Sequence, residues 1–140
     1  MDIRYLSDRF AVSPQVLPEH MATLADKGFT AVICNRPDDE VEPDLQCDAM
    51  AKAAEAAGLS FHRIPVGRDG LNPEMFAQTA KIIEDSTGPV FAYCRSGTRS
   101  SYVWALTMAP DMAPDAIIAA AAQAGYDLRE LRPQLQMMQG

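Results

Sequence analysis

The sequence predicts an α/β domain with a central, mainly parallel sheet flanked by helices. Three observations carry that expectation. From residue 18 to 108, short apolar runs alternate with amphipathic or alanine-rich segments, the order expected of a βαβ chain. The helical segments carry their own punctuation: glycines at Gly28 and Gly58 as stops, Asn72 and Pro73 as a start. The last apolar run, "PVFAY", passes straight into the polar loop "CRSGTRS" and then into a helix.

Taken in order, residues 3–5 and 10–13 predict two short strands around the polar SDR turn. "EHMATLADKG" keeps Met21, Leu24 and Ala25 on one helical face, and "FTAVICN" follows as a buried strand. "RPDDEVEPD" is a polar, proline-broken loop, and "LQCDAMAKAAEAAG" has the alanine content of a stable helix. "SFHRIPV" is the next strand, "GRDGLNP" a loop, and "EMFAQTAKIIEDSTG" a helix capped by Asn72. After the strand "PVFAY", helices are expected over 99–108 and 114–124. A last helix opens on Asp127 and Glu130 as a capping-box-like pair, and Pro133 should break or restart it.

With 140 residues, 48% of them hydrophobic, the chain can bury one core, so residues 1–140 are read as a single domain. Nineteen acidic against twelve basic residues give a net charge of −7 with the basic residues scattered, which excludes the footprint of a nucleic-acid binder. No apolar run approaches the ~20 residues of a membrane span, and the start lacks a signal-peptide layout. A cytoplasmic protein without a membrane partner is expected. Cys34, Cys47 and Cys94 form no CxxC pair, which argues against a disulfide framework or a zinc site and for a working thiol. No metal or organic cofactor is called for.

Cys94 is the candidate nucleophile. It falls at the predicted carboxyl end of a strand, where open α/β sheets bind ligands. Backbone amides of a tight glycine-containing loop and the positive end of the next helix converge on such a point, and Arg95 and Arg99 add two full charges. Such a field favours the thiolate, which is the reactive form. Gly97 supplies the backbone freedom for the curl, while Ser96, Thr98 and Ser100 offer hydroxyls to the sulfur or to bound oxygens. Core packing alone does not account for two arginines in this stretch, because buried guanidinium groups are costly unless they bind something.

The pattern Cys-x-x-Gly-x-Arg-Ser resembles the active-site loop of rhodanese-type sulfurtransferases and, more loosely, that of cysteine-dependent tyrosine phosphatases. Those phosphatases carry Cys-x5-Arg, usually with a histidine before the cysteine; here Tyr93 precedes Cys94, the arginine falls one residue early at Arg99, and Ser100 takes its place. Over nearly the whole chain, "YLSDRFAVS", "NRPDDE", "IPV" and "YCRSGTRS…WAL" occur in an order similar to a bacterial family of small phosphatase-like domains. These are found alone or fused ahead of a metallo-β-lactamase-fold hydrolase in β-lactamase-hydrolase-like proteins. The resemblance implies a dual-specificity or tyrosine-phosphatase-like fold and a small anionic substrate: thiosulfate, a persulfide or a phosphoester. It also raises a separately encoded metallo-β-lactamase-fold hydrolase as a partner.

Sulfur transfer asks less of the loop. A thiolate attacks a sulfane sulfur, a stable anion leaves, and Cys94 is left as a persulfide with Arg99 orienting the donor. Phosphate ester hydrolysis needs a wider cradle and an acid for the leaving oxygen. Asp69 is the candidate acid in that case, with Asp38 and Asp39 behind it; a solvated turn residue is the plainer role for Asp69. The short loop therefore favours a rhodanese-like sulfurtransferase, ahead of a phosphatase and of a non-catalytic anion-binding or persulfide-carrier module.

Asn35 and Arg36 are expected at a strand's carboxyl end, bordering the pocket; equally, Arg36 could pair with Asp38 or Glu40. Cys34 could resolve a Cys94 persulfide, although packing in a strand is the favoured role, as it is for Cys47 in its helix. His20 and His62 lie beside no acid or nucleophile and are assigned structural roles. Trp104 is expected in the core and Tyr102 on the pocket wall.

Overall fold

A computed structural model describes residues 1–139. Five strands, β1 (Arg4–Ser7), β2 (Phe10–Ser13), β3 (Ala31–Cys34), β4 (Ser60–Arg63) and β5 (Val90–Tyr93), form one sheet in the order β1-β2-β5-β3-β4. Only β1 is antiparallel to its neighbour; β2, β5, β3 and β4 run in parallel, as crossover helices require. The helices are α1 (Met21–Asp26), α2 (Cys47–Ala56), α3 (Pro73–Asp85), α4 (Thr98–Met108), α5 (Pro114–Gln123) and α6 (Arg132–Met137).

Strand alternation divides the core into two faces. Ala11, Val32, Cys34, Phe91 and Tyr93 face Met21, Leu24, Cys47 and Met50 of α1 and α2. Val12, Ile33, Val90 and Ala92 face the other way and pack with Trp104, Ile117 and Leu135 from α4, α5 and α6. Trp104 is fully buried, as expected. Cys34 shares its cluster with Cys47 and Tyr93, away from Cys94, so the strand's own periodicity removes it as a resolving thiol.

The parallel register aligns Ser13, Tyr93, Cys34 and Arg63 as the last strand residues, and the segments that follow them share one rim of the sheet. That rim holds the site.

Several details differ from the sequence expectations. The polar loop after β3 contains two 3-10 turns, Asp38–Glu40 and Pro43–Leu45, each set by a proline at or before its start. Asn72 accepts from the Met75 amide at 3.0 Å, the expected cap. At the other end of the chain, Asp127 accepts from the Arg129 amide, but Glu130 turns to the Tyr102 hydroxyl and does not close a capping box. A 3-10 turn, Arg129–Leu131, intervenes, and Pro133 lies in the first turn of α6, where its missing N–H costs nothing. His20 accepts from the Leu17 amide at 3.0 Å and His62 lies 3.1 Å from Ser60 Oγ, both local structural contacts.

Candidate active site

Cys94 follows β5 directly and is 1% exposed. The chain then curls through Gly97, whose φ of +94° suits glycine, and enters α4. The curl brings the Gly97 amide to 3.1 Å from Cys94 Sγ, a donor aimed at the sulfur. The first turn of α4 starts here, and the amides of Ser96, Arg99 and Ser100 have no acceptor among the described residues. Unpaired amides at a helix start are donors free to meet an anion.

The loop's hydroxyls are turned to its own architecture. Ser96 Oγ donates to Thr98 Oγ1 at 3.0 Å and accepts from the Thr98 amide. Ser100 Oγ donates to Asn35 Oδ1 at 2.8 Å, and Ser101 Oγ to the Gly97 carbonyl. None of them meets the sulfur, so of the two roles expected for Ser96, Thr98 and Ser100 the one toward the sulfur is not taken up. A short curl aims their side chains along the backbone that needs acceptors and donors.

Asn35 does not line an open pocket. It is 1% exposed, and its amide is used on both sides, Nδ2 donating to the Ile64 carbonyl and Oδ1 accepting from Ser100. It ties three strand ends together. Arg95 is exposed, with no side-chain partner among the described residues, and Tyr126 from beyond α5 donates to the Ser96 carbonyl at 3.0 Å.

Arg99 is held by two acceptors. Glu40 takes Nη1 at 2.9 Å and Nη2 at 2.8 Å, and the Val66 carbonyl takes Nη1 at 2.8 Å. Arg36 joins the same carboxylate through Nε at 3.2 Å, and its Nη1 reaches Gln15 at 3.1 Å. Arg36 thus pairs with Glu40, and it also lines a cavity beside that pair, so the pairing does not remove it from a pocket border. The Glu40 carboxylate raises the Arg99 pKa above its ordinary value, against burial, and the Cys94 charge adds to the rise. Arg99 lies on the first turn of α4, across the curl from Cys94 in sequence. Sequence reasoning missed Glu40 as the partner of Arg99; its only signal was its place in "NRPDDE".

Asp69 is exposed on a turn, Gly67 to Gly70, that begins one residue after Val66. Asp38 is not available as an acid, because its carboxylate accepts from the Cys47 amide at 2.7 Å. A surface cavity of about 390 Å³ opens beside the Glu40 pair, with Arg36 as well as Asp39, Glu40 and Glu42 in its lining. Tyr102 is not a pocket wall: its hydroxyl meets Glu130, which pushes its pKa up to about 12.

Residues 2–111 match the family described as "Beta-lactamase hydrolase-like protein, phosphatase-like domain". The chain belongs to that family. A beta-lactamase hydrolase-like protein of Xylella fastidiosa is 30% identical over 130 residues, covering 91% of this chain. The chain spans only 30% of that longer relative. Among solved structures, a candidate phosphatase from Neisseria meningitidis is 34% identical, covers 99% of both chains and superposes with a TM-score of 0.82. Tk-PTP in its active form shares the fold at a TM-score of 0.73, with 16% identity over 97% of this chain and 94% of its own. The fold of this phosphatase-like domain is thus that of the dual-specificity and tyrosine-phosphatase-like proteins. No helix among the described residues is long and apolar enough to cross a membrane.

Proposed function

We propose that the domain is a cysteine-dependent phosphoric monoester hydrolase. The observation that carries this reading is the pairing of a Cys94 loop having unpaired amides and a held arginine with a fold whose solved relatives bear phosphatase names. This reverses the order drawn from loop length alone.

In the proposed reaction, the Cys94 thiolate attacks phosphorus and the bond from phosphorus to the ester oxygen breaks, leaving a phosphocysteine. The departing oxygen takes a proton, with Asp69 the candidate donor from the turn after Val66. Water then attacks phosphorus, the S–P bond breaks, and phosphate and the thiolate are released. Arg99, Gly97 and the unpaired amides of Ser96, Arg99 and Ser100 stabilise the charge on the transferred group.

Sulfur transfer is the second reading, favoured by one specific observation: the interval Cys94 to Arg99 is one residue shorter than the phosphatase pattern, and the Gly97 amide already addresses the sulfur. A carrier module acting with a separate hydrolase is the third. The test is p-nitrophenyl phosphate hydrolysis by the wild-type domain and by C94S, with intact mass after exposure to thiosulfate. Hydrolysis that requires Cys94 supports the first reading. Turnover of thiosulfate through a gain of one sulfur atom, without phosphoester hydrolysis, replaces it by the second, and a stoichiometric gain with no turnover of either compound supports the carrier.

A further inference from the structure

We propose that Glu40 is a positioning residue that sets Arg99 as a two-pronged oxyanion clamp, with Arg36 as its counter-charge. The inference rests on the anion-binding role given to Arg99 above, and not on whether phosphoryl or sulfur is transferred.

A guanidinium has five N–H donors in a fixed plane. Three are in use here: one on each terminal nitrogen meets Glu40 end-on, and the second on Nη1 meets the Val66 carbonyl. The remaining two, on Nε and on the Nε side of Nη2, lie parallel along one edge and have no oxygen or nitrogen acceptor among the described residues. A parallel pair of that kind matches two oxygens of a phosphoryl or sulfonyl group. Glu40 and Val66 thus take the donors that substrate does not need and fix the plane of those that it does.

Holding the side chain in advance removes the rotamer entropy that a free arginine loses on binding. The usual drawback of an acid beside an anion site is that it cancels the attraction. Here Arg36 reaches the same carboxylate at 3.2 Å, so the three side chains sum to one positive charge. Gln15 in turn holds Arg36 at 3.1 Å, which extends the bracket from the segment after β2, through that after β3, to the start of α4.

The test is isothermal calorimetry of tungstate binding to the full chain, for wild type, E40A, E40D, R99K and E40A/R99K, with thermal melts alongside. E40A is expected to weaken tungstate binding about tenfold, as expected for a displaced contact group. E40D should recover part of that loss. In the R99K background, removal of Glu40 should change binding by less than about twofold, since a lysine has no fork to orient. Unchanged or tighter binding by E40A would overturn the proposal, showing Glu40 to be idle or a competitor of the ligand. An equal loss in the R99K background would also overturn it, by revealing general damage to the loop. A wild-type domain that binds no tungstate would remove the clamp itself, whereas one that binds tungstate but hydrolyses no phosphoester would defeat only the phosphatase reading.

Discussion

The Ser100 hydroxyl donates to Asn35 Oδ1 at 2.8 Å, inside the protein, while Asn35 Nδ2 donates to the Ile64 carbonyl at 2.9 Å. One buried amide thereby links the start of α4 to the ends of β3 and β4. The Asn35 backbone completes the tie, its amide meeting the Tyr93 carbonyl and its carbonyl the Val66 amide. Val66 is also the residue whose carbonyl holds Arg99, so the tie sets the height of that guanidinium above the sheet.

Replacing Asn35 by leucine should therefore be severe. It leaves a buried hydroxyl and a buried carbonyl without partners, at a cost of about 1–3 kcal/mol for each group left unpaired. Urea denaturation of N35L and of N35L/S100A measures this. The double variant should recover part of the loss, because the Ser100 hydroxyl no longer needs an acceptor; no recovery would mean that Ser100 finds another one.

Glu40 provides a pH signature. Arg99 first, and Arg36 after it, hold its carboxyl below the ordinary glutamate range. A group whose folded pKa is depressed stabilises fully above its unfolded value, about 4.3, and the stabilisation is lost as pH falls through the lower folded value. The melting temperature of wild type should exceed that of E40Q by a constant margin at neutral pH. The margin should close only in acid, below the ordinary glutamate value. A margin independent of pH down to 3 would show that charge on Glu40 contributes nothing.

The fold and the centre of the site were legible for one physical reason: their signals are local. Strand and helix periods, the Asn72 cap and the contiguous Cys94, Gly97 and Arg99 all lie within short windows. What surrounds that centre depends on strand order. Glu40 stands 59 positions from Arg99 and meets it only because β3 lies beside β5. The partners of the Ser96 and Ser100 hydroxyls were unreadable because a hydroxyl's partner is decided by the exact curl of the loop, not by its spacing. Cys34 could have been placed from parity alone, since it pairs in register with Tyr93 and one residue on from Tyr93 the chain faces the other way.

Gly97 and Tyr126 make a further prediction about the loop. A side chain at position 97 faces two obstacles: a left-handed φ of +94° and the Tyr126 hydroxyl, which a Cβ would overlap. G97A should lose roughly 1–3 kcal/mol of stability together with most turnover. Y126F should lose about 1 kcal/mol through the bond to the Ser96 carbonyl. Combining the two should cost less than their sum, because the worst overlap, with the hydroxyl, is gone and only a milder one with the ring carbon that bore it remains. Strict additivity, read from chemical denaturation, would mean that the backbone angle alone governs position 97.

Tyr93 offers the opposite sign. Its hydroxyl is buried without an oxygen or nitrogen partner, on the face where Cys34 and Cys47 pack. Burial foremost, with Cys34 beside it, pushes its pKa up, so the phenol stays neutral. A buried donor with no strong acceptor costs free energy that phenylalanine would not incur. Y93F should therefore raise the melting temperature, by about 2–4 °C if ~1 kcal/mol is recovered. Because the ring points away from Cys94, turnover should stay within about twofold of wild type, as for other substitutions outside the reacting groups. A lower melting temperature would show that the hydroxyl has a partner after all, with the Cys34 sulfur the nearest one to test, by the same substitution in a C34A background.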